Sequence, residues 1–429
     1  MSAFKLSHAT VLLKSNVSRV QFRDSSPATD PHPIRASLNK RKDMHPKMLA
    51  RAFALIISIL SVCCLRVHAQ TETWVPADPR FVVPNQLAVA NCNGMSSVTA
   101  RWVFKDGGNR VVQPPLVSRS GQMISLDARV EEWTGARTLA LVPFEKSFDI
   151  GLLEPGTYTL DFKSWGTTLK QIEFTIVQTP TPTHPIDDGC VFVRQHYRDF
   201  LSREADGGGF AFWTNELHNC GLDAQCLEVK RINVSAAFFL SIEFRETGYY
   251  VYRIYKGALG RAPTFAEFVP EAAQLGRNVI VGSDDPWSIR LSSNKDVYTQ
   301  GFFNRPEFQA RYNGLTNAQY VDKLFETEGI TPTPAERNEL VNSLDNCSFT
   351  IGCPTRSTVL RKIIEHPAFD RKVFNEGFVT MQYFGYLRRD PDPPGFDFWL
   401  SKLNEFNGNF IQAEMVKAFI SSIEYRQRF

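Results

Sequence analysis

Two arginines stand in the same acidic setting far apart in the C-terminal half of the chain. Arg203 is followed three residues on by Asp206, and Arg389 by Asp392; later come Glu243 and Glu424, each in an Ile-Glu-aromatic run that ends at Phe244 or Tyr425. An arginine among carboxylates can serve a ligand site, or it can act as a brace whose guanidinium grips a helix-end carbonyl or the distant glutamate through charge-assisted hydrogen bonds. The set occurs twice, whereas active sites are normally single, so the brace is the favoured reading.

Other chemistry is thinly represented. Asp390, Asp392 and Asp397 surround Gly395 much as acids surround a calcium loop, but Pro391, Pro393 and Pro394 break the ligand alternation and no glutamate closes it. Beyond residue 69 the histidines are His184, His196, His218 and His366, with no His-Glu-x-x-His pair, no Gly-x-Ser-x-Gly and no phosphate loop. The expectation is therefore no catalytic residue, no metal and no cofactor. Acids such as Glu131, Glu132 and Asp149 can be paired into a hydrolase only arbitrarily. Aromatic runs such as Tyr249-Tyr-Val-Tyr252 and Phe302-Phe303 suit a buried core better than a ligand groove.

The cysteines speak of an oxidising compartment. Cys220 and Cys226, and again Cys347 and Cys353, are separated by five residues and each pair follows an asparagine. That spacing exceeds the two to four residues usual between zinc ligands, so two local disulfides clamping equivalent loops are expected. Cys92 and Cys190 remain, either bonded to each other, which would tie two parts of the chain together, or free.

The elements that must position these groups form a repeat. Counting from Tyr383, Arg389 lies at offset 6, Asp392 at 9, Gly395 at 12, Trp399 at 16 and Leu403 at 20; counting from Tyr197, Arg203, Asp206, Gly209, Trp213 and Leu217 reproduce every offset. Two degenerate copies start at Tyr255, which keeps Arg261 but lacks the aspartate and tryptophan, and at Phe325, which also lacks the arginine. Val193, Tyr197, Phe200 and Leu201 fall on one face of a helix, as do Val379, Tyr383, Tyr386 and Leu387. Asp206 and Asp392 are placed to cap a second helix, whose Trp213 and Trp399 are expected in inter-helix cores.

Ahead of this array, residues 73–178 have β character, with short runs such as Leu87-Ala-Val-Ala, Val98-Thr-Ala-Arg-Trp-Val-Phe104, Leu139-Ala-Leu-Val, Tyr158-Thr-Leu-Asp-Phe162 and Ile172-Glu-Phe-Thr-Ile-Val177 between turn signals. About a hundred such residues suggest an immunoglobulin-like β-sandwich. Thr179-Pro-Thr-Pro-Thr-His-Pro185 is an extended linker, placed over 179–187. The fold class is thus β then all-α: a sandwich, a linker, two helical modules over 188–312 and two more over 313–429.

At the start, Met48-Leu-Ala-Arg51, an apolar run through Val62 and the ending Val67-His-Ala69 read as a secretory signal peptide over 48–69, with 1–47 a disordered or mis-assigned extension. Residues 1–69 hold 11 basic and 3 acidic residues, so the remaining 360 carry 37 basic against 42 acidic, a formal charge of −5. The whole-chain pI of 8.3 is set by the leader, and a mildly acidic exported chain offers no electrostatic case for nucleic acid. No later stretch is apolar enough for an integral membrane protein.

The order aromatic, Leu, Arg, Asp, Gly, Trp and then Glu-Phe or Glu-Tyr resembles the bacterial "domain of unknown function 4214" family, distantly similar to phycobilisome linker domains, over residues 190–429. The resemblance implies an exported or cell-surface helical module and carries no catalytic residue. The expected function is a non-enzymatic binding or assembly protein of the bacterial surface or extracellular space, its partner a protein or glycan; the competing expectation is a secreted hydrolase acting on polysaccharide, which needs two carboxylates facing across a cleft.

Overall fold

The computed structural model describes residues 72–283, 286–346 and 353–429. The expected extension, signal peptide and Cys347 lie outside the described residues.

The β-rich part comprises β1 (Trp74–Pro76), β2 (Gln86–Cys92), β3 (Met95–Phe104), β4 (Asn109–Val111), β5 (Leu116–Ser120), β6 (Met123–Asp127), β7 (Val130–Trp133), β8 (Val142–Leu152), β9 (Gly156–Ser164) and β10 (Thr167–Ile176). Alternation along the strands turns one face inward. The sheet β2-β3-β8 faces the sheet β10-β9-β6-β5, and β1-β7-β4 forms a third. Trp102, Phe148 and Phe162 join the two large sheets, with ring centroids 5.9 and 6.2 Å apart for Trp102–Phe162 and Phe148–Phe162. The buried Trp102 indole donates to the Val82 carbonyl at 2.8 Å, which satisfies its one polar group. β6 and β9 run parallel, a departure from a wholly antiparallel sandwich.

One expected strand is displaced. The ladder between β3 and β8 ends at the Phe104–Val142 pair, so nothing pairs with the residues before it, and Leu139 is 97 % exposed. The strands β1, β4, β5, β6 and β7 have three to five residues each, too few to show a clear alternation in the sequence.

The helices are α1 (Gly189–Leu201), α2 (Gly207–His218), α3 (Ala224–Leu240), α4 (Ile242–Glu246), α5 (Gly248–Leu259), α6 (Phe265–Leu275), α7 (Trp287–Phe303), α8 (Pro306–Tyr312), α9 (Asn317–Glu328), α10 (Pro334–Asp345), α11 (Arg356–Ile364), α12 (Pro367–Gln382), α13 (Pro393–Glu405), α14 (Met415–Ser421) and α15 (Ile423–Arg426); α12 continues into a π-helical turn, Tyr383–Leu387. One local plan recurs. The first helix of each module ends on a left-handed residue, Ser202, Gly260, Gly329 or Arg388. The second helix is capped by Asp206, Thr264, Thr333 or Asp392, each accepting from a backbone N–H three residues on. The second module therefore lacks the aspartate but keeps the cap, with Thr264 and Glu267 forming a capping box. Counted from the left-handed Gly329 and the Thr333 cap, the counterpart of Tyr197 in the third module is Leu324, one residue before the expected Phe325.

A single apolar core extends from Ile186 to Tyr425 through all four modules. At its centre α5 buries every residue except Lys256, as a helix apolar on all sides must. Its tyrosines keep their hydroxyls bonded, Tyr250 to Thr299 and Tyr255 to Glu271, both at 2.8 Å. The first and last modules meet through equivalent residues: Phe200 and Tyr386, each three positions past its anchor tyrosine, have ring centroids 5.1 Å apart. Contact between equivalent residues marks a local twofold relation.

α2 lies on β2; Gly207 and Gly208 allow its approach to the sheet, while Gly209 makes room for the Tyr197 hydroxyl of α1. A Cβ on Gly207 would come 2.4 Å from the Thr99 side chain, one on Gly208 3.2 Å from Gln86, and one on Gly209 2.2 Å from the Tyr197 hydroxyl. Gly207 N–H donates to Glu145 at 2.8 Å and the Asn215 amide to the Val89 carbonyl at 3.0 Å. Cys92 at the end of β2 is bonded to Cys190 on α1, joining the β and helical parts covalently.

Candidate functional site

The arginine sets of the sequence are assembled in space, and identically. Arg203 donates from Nε and Nη2 to the two oxygens of Glu243 at 2.6 and 2.9 Å, and from Nη1 to Asp206 at 3.3 Å and the Glu204 carbonyl at 3.0 Å. Arg389 repeats this with Glu424 at 2.6 and 3.1 Å, Asp392 at 3.1 Å and the Asp390 carbonyl at 3.0 Å. Each guanidinium also lies over its anchor ring, Tyr197 at 4.9 Å and Tyr383 at 5.1 Å. The aspartates accept the Gly209 and Gly395 amides on their other oxygen. A Cβ on Gly395 would meet the Tyr383 hydroxyl at 2.3 Å, as one on Gly209 would meet Tyr197.

The second module builds the same brace from other residues. Arg261 holds Glu307 at 3.0 and 2.8 Å, and Glu267 takes the aspartate's place at 2.9 Å. The grip of Arg261 draws the Glu267 carboxyl down to about 2. Because Glu267 stands where the glycine would, the Tyr255 hydroxyl turns instead to Glu271 and Arg305. In the third module Ile330 and Ala368 stand at the arginine and glutamate positions. Both partners are gone together, since removing one alone would strand the other.

Trp213 and Trp399 were expected to be enclosed. Each packs on the core, against Phe238 at 5.8 Å and Phe419 at 5.6 Å, but leaves its other side partly open. Trp213, Tyr197, Arg203 and Asp206 border an open crevice of about 410 Å³. Within it Arg203 is paired with Asp206 and Glu243. Phe244 and Tyr425 close their modules against Phe200 and Tyr386, both at 5.7 Å.

A nucleophile-like pair escaped the sequence because its members lie 39 residues apart without a motif. His196 Nδ1 meets the Phe192 carbonyl at 2.7 Å and Nε2 meets Ser235 Oγ at 2.7 Å; Ser235 also contacts the Tyr386 hydroxyl. His196 is 1 % and Ser235 0 % exposed, and burial pushes the imidazole down to about 3. This is a neutral core network, sealed from substrate.

The other cavity of note is a half-open groove of about 450 Å³ where the Pro/Thr segment, the first module and the last module meet. Leu217, Leu227, Ile232, Ile420 and the prolines 180 and 182 supply apolar wall. Its charged rim is internally paired: Arg426 with Asp187 at 2.6 Å and Lys417 with Glu228 at 2.5 Å, while Arg231 donates to the carbonyls of Ile186 and Asp187. His218 lines it with an imidazole whose pKa burial lowers. Each of the four cysteines of the two described disulfides is next in sequence to a residue that lines this groove. Cys92 stands between the lining residues Asn91 and Asn93, Cys190 follows Gly189, Cys220 precedes Gly221 and Cys226 precedes Leu227. Cys353 is also disulfide-bonded; its expected partner, Cys347, lies outside the described residues.

The last module has its Tyr383 anchor, its Arg389–Glu424 brace and a closing helix capped by Ser422. Residues 361–429 match the family model described as Domain of unknown function (DUF4214). The match spans the end of α11 through α15 and includes the whole second motif set. No curated protein and no solved structure matches the chain. Among the described residues no group of three or more histidine, cysteine or acidic side chains is placed to hold a metal ion, and no helix is long and apolar enough to cross a membrane.

Proposed function

We propose that the chain is an exported, non-enzymatic binding or assembly protein of the bacterial cell surface or extracellular space, recognising its partner through the groove between the linker, the first module and the DUF4214 domain. The observation that carries this reading is the covalent framing of the groove: both described disulfides anchor residues on its walls. Fixing a site in its bound shape lowers the ordering cost of binding, and disulfides of this kind persist in oxidising compartments outside the cytoplasm. The groove's carboxylates are committed to Arg426 and Lys417 and to a helix cap, so its chemistry suits holding a ligand more than turning one over.

The test is a panel of glycans and peptides presented to the purified chain by calorimetry, run beside a product assay on the same panel. Binding without product, lost in Ile232→Lys, supports the reading. Release of reducing sugar or cleaved peptide would favour a hydrolase instead.

A further inference from the structure

The first and last modules present the same apolar surface outward. Phe212 and Phe398, each at offset 15 from its anchor tyrosine, are both 57 % exposed, and each ring meets the neighbouring tryptophan edge to face at 76°, 4.8 Å from Trp213 and 5.0 Å from Trp399. Ile242 and Ile423, first residues of the closing helices, are 58 % and 75 % exposed. Phe212, Trp213 and Ile242 share the crevice beside the Arg203–Glu243 brace. A single exposed phenylalanine means nothing by itself. Here the module plan shows that the fold does not require these residues: at the two tandem positions the second module has Pro270 and Glu271, the third Glu339 and Leu340, and both have proline, 306 and 367, in place of the isoleucine. The surface is kept only in the two modules that meet across the local twofold.

We propose that the Phe212–Trp213–Ile242 and Phe398–Trp399–Ile423 surfaces are paired subsites for a neutral, repeating polysaccharide. Each subsite sets an aromatic face beside carboxylates held rigid by their arginine. A sugar ring offers matching sides, a C–H face for the aromatic and hydroxyl edges for carboxylate lone pairs that the arginine leaves unused. A wholly apolar side chain would cover those oxygens without bonding them, and a charged ligand would compete with the brace. Two equal subsites on one molecule suit a ligand that repeats, because a polymer engaging both gains effective concentration. The inference stands apart from the groove and fails separately from it.

The test is affinity electrophoresis of the full chain in gels containing neutral polysaccharides (a β-glucan, a xylan, an α-glucan) or anionic alginate, with matched short oligosaccharides measured by calorimetry. At least one neutral polymer should retard the chain. Phe212→Ala and Phe398→Ala should each weaken polymer binding by about tenfold or more while leaving half the oligosaccharide sites intact, and the double variant should run unretarded. Both phenylalanines are exposed, so melting temperatures should be unchanged; a double variant retarded like the parent chain overturns the proposal. So does retardation by alginate alone, by no polymer, or binding lost in the groove variant Ile232→Lys instead. A concentration-dependent dimer that Phe398→Ala dissolves would assign these surfaces to a second copy of the chain and equally overturn it.

Discussion

Arg389 holds Glu424 by two parallel hydrogen bonds across 35 residues, and Arg203 holds Glu243 in the same way across 40. The two braces differ in their surroundings. The side chains of Arg203 and Glu243 are 18 % and 7 % exposed, those of Arg389 and Glu424 40 % and 47 %; the Val281 amide also donates to Glu243 at 3.3 Å.

Arg203→Ala should therefore cost about 3 kcal/mol, because it strands a buried carboxylate. Arg389→Ala should cost about 1 kcal/mol, solvent screening having weakened the pair it removes. Urea unfolding of both variants checks the order, and an unchanged midpoint for either would defeat the brace.

Gly209→Ala and Gly395→Ala should each destabilise by about 1–3 kcal/mol, since the new methyl would sit 2.2 or 2.3 Å from a tyrosine hydroxyl. Removing the hydroxyl should relieve the clash, so Tyr197→Phe combined with Gly209→Ala should recover most of the loss. A double-mutant cycle measures the coupling, and strictly additive effects would count against this account of the glycine.

The two described disulfides should contribute unequally. Cys92–Cys190 closes a separation of 98 residues and Cys220–Cys226 one of 6. Loop-closure entropy gives about 4.7 kcal/mol for the first and about 2 kcal/mol for the second. Calorimetric melting of the two paired Cys→Ser variants should show the larger fall for Cys92 and Cys190.

Stability should decline on the alkaline side. Glu328 is 2 % exposed, its carboxyl oxygens have no hydrogen-bond partner among the described residues, and burial pushes it up to about 9. Folded, it keeps its proton; unfolded, it loses it near 4.5. The contribution is fully present below the unfolded value and is lost as pH rises toward about 9, at up to about 1.4 kcal/mol per pH unit. Glu328→Gln should flatten the fall in melting temperature between pH 5 and 9, and parallel curves for the two proteins would refute the assignment.

What could be read in advance follows from what is local. Tyr197, Arg203, Asp206, Gly209 and Trp213 lie within five helical turns, so their spacing alone announces a module, and the five-residue gap between Cys220 and Cys226 announces a bond. The caps Thr264 and Thr333 carry no such mark, because threonine does the aspartate's work with a different atom set. Relationships across the chain carry no local period. Asp187 and Arg426 are 239 residues apart, His196 and Ser235 39, and only folding shows that the first pair borders a groove and the second is sealed in the core. The partial exposure of Trp213 and Trp399 was likewise invisible, since a tryptophan on an amphipathic helix looks the same whether its outer side is covered or open.

The placement of α2 on β2 has a further consequence. β2 is the end strand of its sheet, and an uncovered end strand presents unpaired backbone groups on which another chain can add. Asn215, bonded to the Val89 carbonyl, and Gly208, set against Gln86, bring a helix down over that strand. The sandwich expressed without α2 should therefore self-associate strand to strand, which size-exclusion chromatography of the isolated sandwich would register.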